Sequence, residues 1–235
     1  MGERIDYAGT ELDLFQHARN WKNYYGARFR PFVRGRVLDV GCGMGVNADH
    51  LWNPAVTSYT FLEPDPQLLD QVPAHVRTPA LRDARRINGT TSSIPVGERF
   101  DTILYLDVIE HIADSTAELR RAYELLAPGG HLLILVPAFN YLYSPFDKAI
   151  GHFRRYDKGI LERELPPELS RLRTQYMDSV ALFASLANKW FLGQSSPTLK
   201  QVLFWDRTIV PMSRVMDPLV FHRFGKSLLS ITQKR

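Results

Sequence analysis

Val37-Leu38-Asp39-Val40-Gly41-Cys42-Gly43-Met44-Gly45 joins an apolar run to a glycine-rich turn, with a carboxylate two residues before the first glycine. A strand that feeds such a turn and then a helix lets backbone approach a ligand closely at the carboxyl end of a parallel sheet. The spacing is G-x-G-x-G and not the dinucleotide fingerprint G-x-G-x-x-G, whose third glycine position is Val46 here. A pyrophosphate disfavours a carboxylate so close by, whereas a cationic or amine-bearing ligand is drawn to one. Glu63 stands 22 residues after Gly41, at the end of the next predicted strand, where a carboxylate accepts from both hydroxyls of a ribose. The bland alternatives are a tight turn at the glycines and a surface acid before the Pro64-Asp65-Pro66 turn. The two features together point to a nucleoside-bearing cofactor that lacks a pyrophosphate.

Positioning these groups requires alternating strands and helices. The spacing of Leu12, Phe15, His17, Trp21, Tyr24, Tyr25 and Phe29 predicts a first helix within residues 11–32, ended by Pro31. Strands are predicted at 36–40, 59–63, 85–88, 102–107 and 131–137, with helices at 46–52, 66–72 and 115–126, the last closed by Pro128-Gly129-Gly130. This alternation predicts a parallel sheet covered by helices on both faces. Beyond Pro137, residues 141–156 read as an aromatic-rich loop, and 173–176 and 227–232 as two further strands. Apolar helical pieces at 179–192 and 199–210, separated by Gly193-Gln194-Ser195-Ser196-Pro197, read as an insertion or lid between those strands.

With 235 residues, 45% hydrophobic and 23% charged, the chain is long enough to bury a full core and is neither disordered, collagen-like nor a coiled coil. Its single cysteine, Cys42, excludes a disulfide framework and a multi-thiolate zinc site and suits a reducing cytosol; no metal is expected. The longest apolar stretch, 180–192, is interrupted by Ser185, Asn188 and Lys189 and is too short to span a bilayer. With no signal-peptide pattern at its start, the chain is expected to be soluble and cytoplasmic. The net charge of +4 divides into a balance of −3 over residues 1–150 and +7 over residues 151–235. The basic part also carries 10 of the 27 Phe, Trp and Tyr residues, which suits an anionic partner: an acidic small molecule, a phosphate-bearing carrier, a membrane surface or nucleic acid.

Four segments in order resemble the class I S-adenosylmethionine-dependent methyltransferases: Leu38 to Gly45, Phe61-Leu62-Glu63-Pro64-Asp65, Phe100 to Ile112, and Leu126-Ala127-Pro128-Gly129-Gly130-His131-Leu132. The resemblance covers about residues 35–137 and implies a Rossmann-like, seven-stranded, mostly parallel sheet with its final strand antiparallel, and S-adenosylmethionine as cofactor. It implies one methyltransferase domain over 1–235, with an N-terminal helix (1–34), a cofactor-binding core (35–137), and a substrate loop, helical insertion and last strands (138–235). Gly41, Cys42 and Gly43 would then lie against the methionine part of the cofactor, with Asp39 orienting the turn and reaching towards the amino group. Glu63 would hold the ribose hydroxyls and Pro64 would touch adenine. Thr90 and Thr91 stand where many members have an Asp-Ala-type pair near adenine, and Asp107 and Val108 would floor the site. Val136-Pro137-Ala138 and Gly151-His152-Phe153-Arg154-Arg155-Tyr156 are similar to elements of a bacterial branch that shares the Glu-His-Ile and Pro-Gly-Gly stretches, often associated with glycan or secondary-metabolite modification.

Methyl transfer is an in-line displacement, and a hydroxyl acceptor also needs a base as its proton leaves. His111, after the fourth strand, and His152, beside two arginines that would lower its pKa, are the candidate bases; helix capping and loop packing are their structural alternatives. Arg154 and Arg155 are the candidate anchors for a carboxylate or phosphate on the acceptor, against salt bridges to Asp147, Asp157, Glu162 or Glu164. Tyr143 and Tyr156, with Tyr141 and Phe146, would line an acceptor pocket. Phe183, Trp190, Phe191, Phe204, Trp205, Val220 and Phe221, flanked by Lys189, Lys200, Arg207 and Arg223, suit an extra packed layer, a lid, a dimer interface or a peripheral membrane contact.

The reading is therefore O-methylation of a small-molecule, glycan or carrier-linked acceptor by a monomer or homodimer. Its alternatives are methylation at carbon or nitrogen and a catalytically silent cofactor-binding subunit. DNA is not expected as acceptor, since methylation of its nitrogens is disfavoured by the missing Asn/Asp-Pro-Pro-aromatic signature, and RNA is disfavoured because no recognised RNA-binding module is present.

Overall fold

In the computed structural model, residues 11–191 and 197–235 are described. The predicted end of the insertion's first helix at Leu192, and the separator residues Gly193 to Ser196, lie outside them, as do the side chains of Lys189, Trp190 and Phe191.

Seven strands form one sheet: β1 (Gly35–Val40), β2 (Val56–Glu63), β3 (Arg85–Asn88), β4 (Phe100–Leu106), β5 (Leu126–Pro137), β6 (Leu169–Met177) and β7 (Ser227–Lys234). Their spatial order is β3-β2-β1-β4-β5-β7-β6. The first five run parallel, while β7 lies antiparallel to both β5 and β6. The order reverses between β1 and β4, which opens a crevice at the carboxyl ends of those strands, the usual ligand position in such sheets. This is the Rossmann-like architecture expected from the sequence.

The sheet is buried on both faces because successive residues of its central strands alternate between two apolar clusters. Val37, Leu104, Leu133 and Ile231 pack on one face against Trp21, Tyr24, Tyr25 and Phe29. Leu38, Ile103, Leu132 and Ile134 pack on the other against Leu119, Ala122 and Leu125. The two-residue period of a strand, applied to unbroken apolar runs, is the cause.

Eleven α-helices are found among the described residues: α1 (Glu11–Phe15), α2 (Arg19–Phe29), α3 (Ala48–Leu51), α4 (Pro66–His75), α5 (Pro79–Arg82), α6 (Ser115–Leu125), α7 (Pro145–Ala149), α8 (Lys158–Glu164), α9 (Ser179–Phe191), α10 (Leu199–Phe204) and α11 (Val210–Leu219). Caps written in the sequence start several of them: Asp65 accepts from the Gln67 N–H at 2.8 Å, Asp114 from Ala117 at 3.0 Å, and Asp157 from Ile160 at 2.8 Å.

Three expectations need correction. The single first helix is two, because the chain breaks at residues 16–18 and α2 restarts under a cap from a distant segment. Asp206 supplies that cap by accepting the N–H groups of Asn20 and Trp21 at 3.2 and 2.9 Å. Pro128-Gly129-Gly130 does not close a helix in a turn; it lies within β5, where Gly129 takes a φ of +75° and the register to β4 shifts between Phe100 and Thr102. The aromatic loop contains α7, closed at its start by a reciprocal cap between Ser144 and Asp147.

The insertion stands where the sequence put it, between β6 and β7. Helices α10 and α11 are joined by a π-helical turn, Trp205–Ile209. Buried carboxylates hold it together and fasten it to α2: Asp178, just after β6, accepts from the Trp205 indole and the Ser213 hydroxyl at 2.8 and 2.6 Å, and Asp217 accepts from the Tyr24 hydroxyl of α2 at 2.7 Å. No described helix is long and apolar enough to cross a membrane.

Candidate active site

A cleft of about 1910 Å³ opens over Val40, Glu63, Leu106 and Pro137, the last residues of β1, β2, β4 and β5, and over Ser227, the first of the antiparallel β7. Its sides come from α1 and α2 (Leu12, Trp21, Lys22, Tyr25), the α7 loop (Tyr143 to Phe153) and the insertion (Ala184, Val202, Phe204).

Gly41, Gly43 and Gly45 all have positive φ, at +62°, +53° and +73°, a region that side-chain-bearing residues seldom adopt. At Gly41 a Cβ would also meet the Val108 side chain at 2.8 Å. The turn is sewn to the neighbouring strand, since the N–H groups of Gly41 and Cys42 both donate to the Leu62 carbonyl, at 2.8 and 3.2 Å. Glu63 continues the seam: Oε2 accepts from the Gly43 N–H at 2.8 Å and Oε1 from the Asp65 N–H at 3.1 Å. Burial pushes the Glu63 carboxyl above its ordinary pKa, against the pull of these two N–H groups.

Gly41, Cys42, Gly43, Glu63, Pro64, Thr90, Thr91, Asp107 and Val108 all line the cleft. Thr91 donates to Glu118 at 2.9 Å, and Tyr105 donates to the same carboxylate at 2.6 Å. Asp107 takes a φ of +57° and faces the cleft. Although its side chain is exposed to the cleft, the protein packed around it raises its carboxyl to about 6, against the pull of His152, Lys22, Lys226 and Arg155. Asp39 is the exception. Its carboxylate is buried behind the turn, outside the cleft lining, and accepts from the Tyr59 hydroxyl at 2.9 Å. Burial lifts it to about 7. The strand's alternation turns residue 39 to the same face as Val37 and Tyr59, the side covered by α2, where its carboxylate is buried outside the cleft lining.

The structure brings His111 and His152 together from segments some 40 residues apart, with ring centroids 4.5 Å apart and planes at 84°. Glu110 completes the group: it is fully buried, neither carboxylate oxygen has a hydrogen-bond partner, and Oε1 lies 3.9 Å from His152 Nε2. Burial, and then the neighbouring His152, lower the His111 pKa to about 4, so that ring is neutral at physiological pH. Asp147 fixes the other ring, with Oδ1 2.9 Å from His152 Nδ1. It also receives the Arg155 fork, from Nε at 2.9 Å and Nη2 at 3.0 Å, and the Ser144 hydroxyl at 2.7 Å. These bonds, led by that to His152, hold Asp147 well below the usual carboxylate range despite its burial.

Of the predicted acceptor-binding residues, two are placed elsewhere. Arg154 lies outside the cleft lining, donating to the Ala113 carbonyl at 2.6 Å and the Ser115 hydroxyl, with Glu164 at 3.8 Å. Tyr156 is fully buried, and its N–H and carbonyl bond to Pro137 and Phe139. Arg155 borders the cleft, but its guanidinium is taken by Asp147. Tyr143 lines the cleft and donates to the His152 carbonyl at 2.6 Å. Both arginines thus realise the salt-bridge alternative.

Glu110 had no expected role beyond the Glu-His-Ile stretch, and Asp147 was expected only as a salt-bridge partner of the arginines and not as the group that orients His152. The Glu-His pair after an apolar strand and the Ser-x-x-Asp capping pattern were the available signals. Lys22, buried on α2 beside the cleft, was also missed; burial lowers it to about 8, and it donates to the Phe15 carbonyl at 2.5 Å.

Comparison with known proteins agrees with this geometry. Residues 13–177 match the family model described as a methyltransferase domain. A ubiquinone biosynthesis O-methyltransferase of Azorhizobium caulinodans is 28% identical over 173 residues, 68% of this chain and 67% of that protein. The protein of the same name from Dinoroseobacter shibae is 32% identical over 130 residues, 55% of this chain and 50% of that one. The chain thus spans about half to two thirds of the length of the curated relatives it matches. Among solved structures, the N-methyltransferase NodS of Bradyrhizobium japonicum, in complex with S-adenosylhomocysteine, superposes with a TM-score of 0.61 at 13% identity, covering 99% of this chain and 94% of that one, a likeness of fold. A sheet reversed at β1 and β4, a glycine turn seamed to a buried glutamate at the crevice, and a family match over most of the chain lead to one conclusion: this protein belongs to the methyltransferase domain family and is an S-adenosylmethionine-dependent methyltransferase.

Proposed function

We propose that the chain methylates an oxygen nucleophile of a small-molecule, glycan or carrier-linked acceptor in a biosynthetic pathway. The observation that supports this reading best is the Glu110–His111–His152 cluster in the cleft wall, with His152 oriented by Asp147. An oxygen acceptor must lose a proton as it attacks, and this cluster is where the cleft handles it. The two ubiquinone biosynthesis O-methyltransferases that match the chain support the same reaction class.

The cofactor supplies an electrophilic methyl on a sulfonium. In this reading Glu63 holds its ribose, the Gly41–Gly43 turn meets its methionine part, and Pro64, Thr90, Thr91, Asp107 and Val108 enclose the rest. Residues 35–137 carry the cofactor and residues 138–235 the acceptor, as one domain. Tyr143 and the α7 loop seat the acceptor against the cluster, and Lys226, which borders the cleft, serves an anionic group on it.

The test is release of S-adenosylhomocysteine on a panel of phenols, sugar hydroxyls and amines, with the product's methylated atom assigned by mass spectrometry. Methylation of a hydroxyl, slowed in His152→Gln with a changed pH profile, is expected. Transfer confined to nitrogen or carbon acceptors would overturn the reading.

A peripheral membrane contact belongs to the same proposal. On α11, Val210, Ser213 and Asp217 face inward, while Met212, Val215, Met216 and Leu219 form an exposed apolar stripe. Phe221 stands exposed beyond it, and Arg207, Arg214 and Arg223 are exposed on the same segment. Co-sedimentation with vesicles containing phosphatidylglycerol, but not with pure phosphatidylcholine, is the expected behaviour; equal recovery in the supernatant from both would exclude it.

A further inference from the structure

We propose that Glu110, His111 and His152 form a binding site for one divalent transition cation of the zinc or manganese class. The donor atoms of the three side chains all lie within 4.8 Å of one another. Two imidazoles and one carboxylate are a donor set suited to these ions, which take three protein ligands and leave the remaining position for water or substrate.

Glu110 is the independent observation. It is 0% exposed, and both of its carboxylate oxygens lack a hydrogen-bond partner. The His152 Nε2 at 3.9 Å is too distant to serve as one. A buried polar group left without a partner is costly and rare, and an ion, a water or a reacting group is its usual explanation. A cation between Glu110 and the two rings satisfies both oxygens together. Closing donor atoms from 4.8 Å to the spacing around a bound ion requires movement of about 1 Å, given metal–ligand bonds near 2.1 Å.

The surrounding bonds are those that orient metal ligands. Asp147 engages His152 at Nδ1, which leaves Nε2 turned towards Glu110. The His111 ring is held by the backbone of Ile150. Carboxylates and carbonyls behind ligating histidines fix the tautomer and the ring direction. Asp147 is itself fixed by the Arg155 fork, so the rigidity of the α7 loop passes to the site.

The use of the cation rests on the O-methylation proposed above; its binding does not. All three residues border the cleft, so an acceptor hydroxyl can take the open coordination position, where its acidity rises. Its proton leaves to solvent, the oxygen lone pair forms the bond to the methyl carbon, and the carbon–sulfur bond breaks with its electron pair remaining on sulfur.

The test is calorimetric titration of the chelator-treated full chain with Zn²⁺ alone and with Mn²⁺ alone, and the visible spectrum of the chain with Co²⁺. One cation per chain is expected, with affinity reduced about tenfold or more in Glu110→Gln and in His152→Asn, and unchanged in His75→Asn, a histidine on α4 away from the cleft. Binding of S-adenosylhomocysteine by each variant reports that the cleft is still folded. Cation binding of this pattern in a chain that methylates no oxygen acceptor would support the site and remove the O-methylation reading. Absence of binding at millimolar cation, or equal binding by Glu110→Gln and the unaltered chain, would overturn the proposal.

Discussion

Glu63 accepts the Gly43 N–H at 2.8 Å, so the carboxylate at the end of β2 and the glycine turn after β1 form one rigid edge of the cleft. Removing that carboxylate disturbs the turn as well as any ribose held beside it. Glu63→Ala is expected to weaken S-adenosylhomocysteine at least tenfold, about 1.4 kcal/mol. Glu63→Gln, which keeps an acceptor oxygen, should lose less. Calorimetric titration checks this, and an unchanged dissociation constant in Glu63→Ala would remove the residue from the cofactor site.

Asp39 makes the fold's stability depend on pH near neutrality. Burial raises its folded pKa to about 7 from an ordinary 3.8. A carboxyl shifted upward stabilises the folded chain fully below the unfolded value, and this contribution is lost as pH rises through the folded one. Between about pH 4 and pH 7 the group therefore costs progressively more stability as pH increases. Asp39→Asn keeps an acceptor for the Tyr59 hydroxyl and removes the titration, so its melting temperature should fall less steeply from pH 5 to pH 8. Parallel curves for the two proteins would show that Asp39 does not titrate there.

Asp147 is the hinge of the candidate site's rigidity. Asp147→Ala leaves Arg155 buried without its carboxylate, and breaking such a pair costs about 3–5 kcal/mol. Because Asp147 is shifted downward, its contribution is complete above the unfolded value of 3.8 and is lost as pH falls below it. Arg154→Ala should cost about 1 kcal/mol or less and leave the acceptor's KM unaltered, since Arg154 lies outside the cleft. Urea denaturation of both variants separates them; equal losses would contradict the division of labour between the two arginines.

Gly41 and Gly129 share a positive φ but not their surroundings. A Cβ at Gly41 meets Val108 Cγ2 at 2.8 Å, whereas at Gly129 nothing lies within 4 Å. Gly129→Ala should cost only backbone strain, about 1–2 kcal/mol. Gly41→Ala adds the collision with Val108, so it should be less stable than Gly129→Ala and bind S-adenosylhomocysteine more weakly. Comparable stability and binding in the two variants would show that the turn has room to move.

The core of the fold was legible because it is a local signal. Apolar runs placed β1, β2 and β4 within a few residues of their observed bounds, while β3, whose Arg-Arg-Ile-Asn is not an apolar run, was placed by its position in the alternation. Where Gly129 carries a strand past a bulge, the same glycine signal misled, since Pro-Gly-Gly marks a turn and an irregular strand start equally well. The break before α2 was hidden for another reason: its cap, Asp206, is 186 residues from Asn20 along the chain.

The sequence by itself determined the sheet, the glycine turn and the glutamate beside it, because each depends on residues near one another or on the repeat of a strand. Tertiary structure alone decided which charged groups meet. Arg154 and Arg155 are identical in type and adjacent, yet the chain there is extended and bridged to Ala138 through Tyr156, so their side chains leave in opposite directions. Arg155 is delivered to Asp147 and Arg154 to Ser115 and Ala113. Glu110, His111 and His152 likewise converge only when the α7 loop folds over β4, with the Phe153 N–H bonded to the Glu110 carbonyl at 2.8 Å. Periodicity encodes which face of an element is apolar; it carries no record of which distant loop that face will meet.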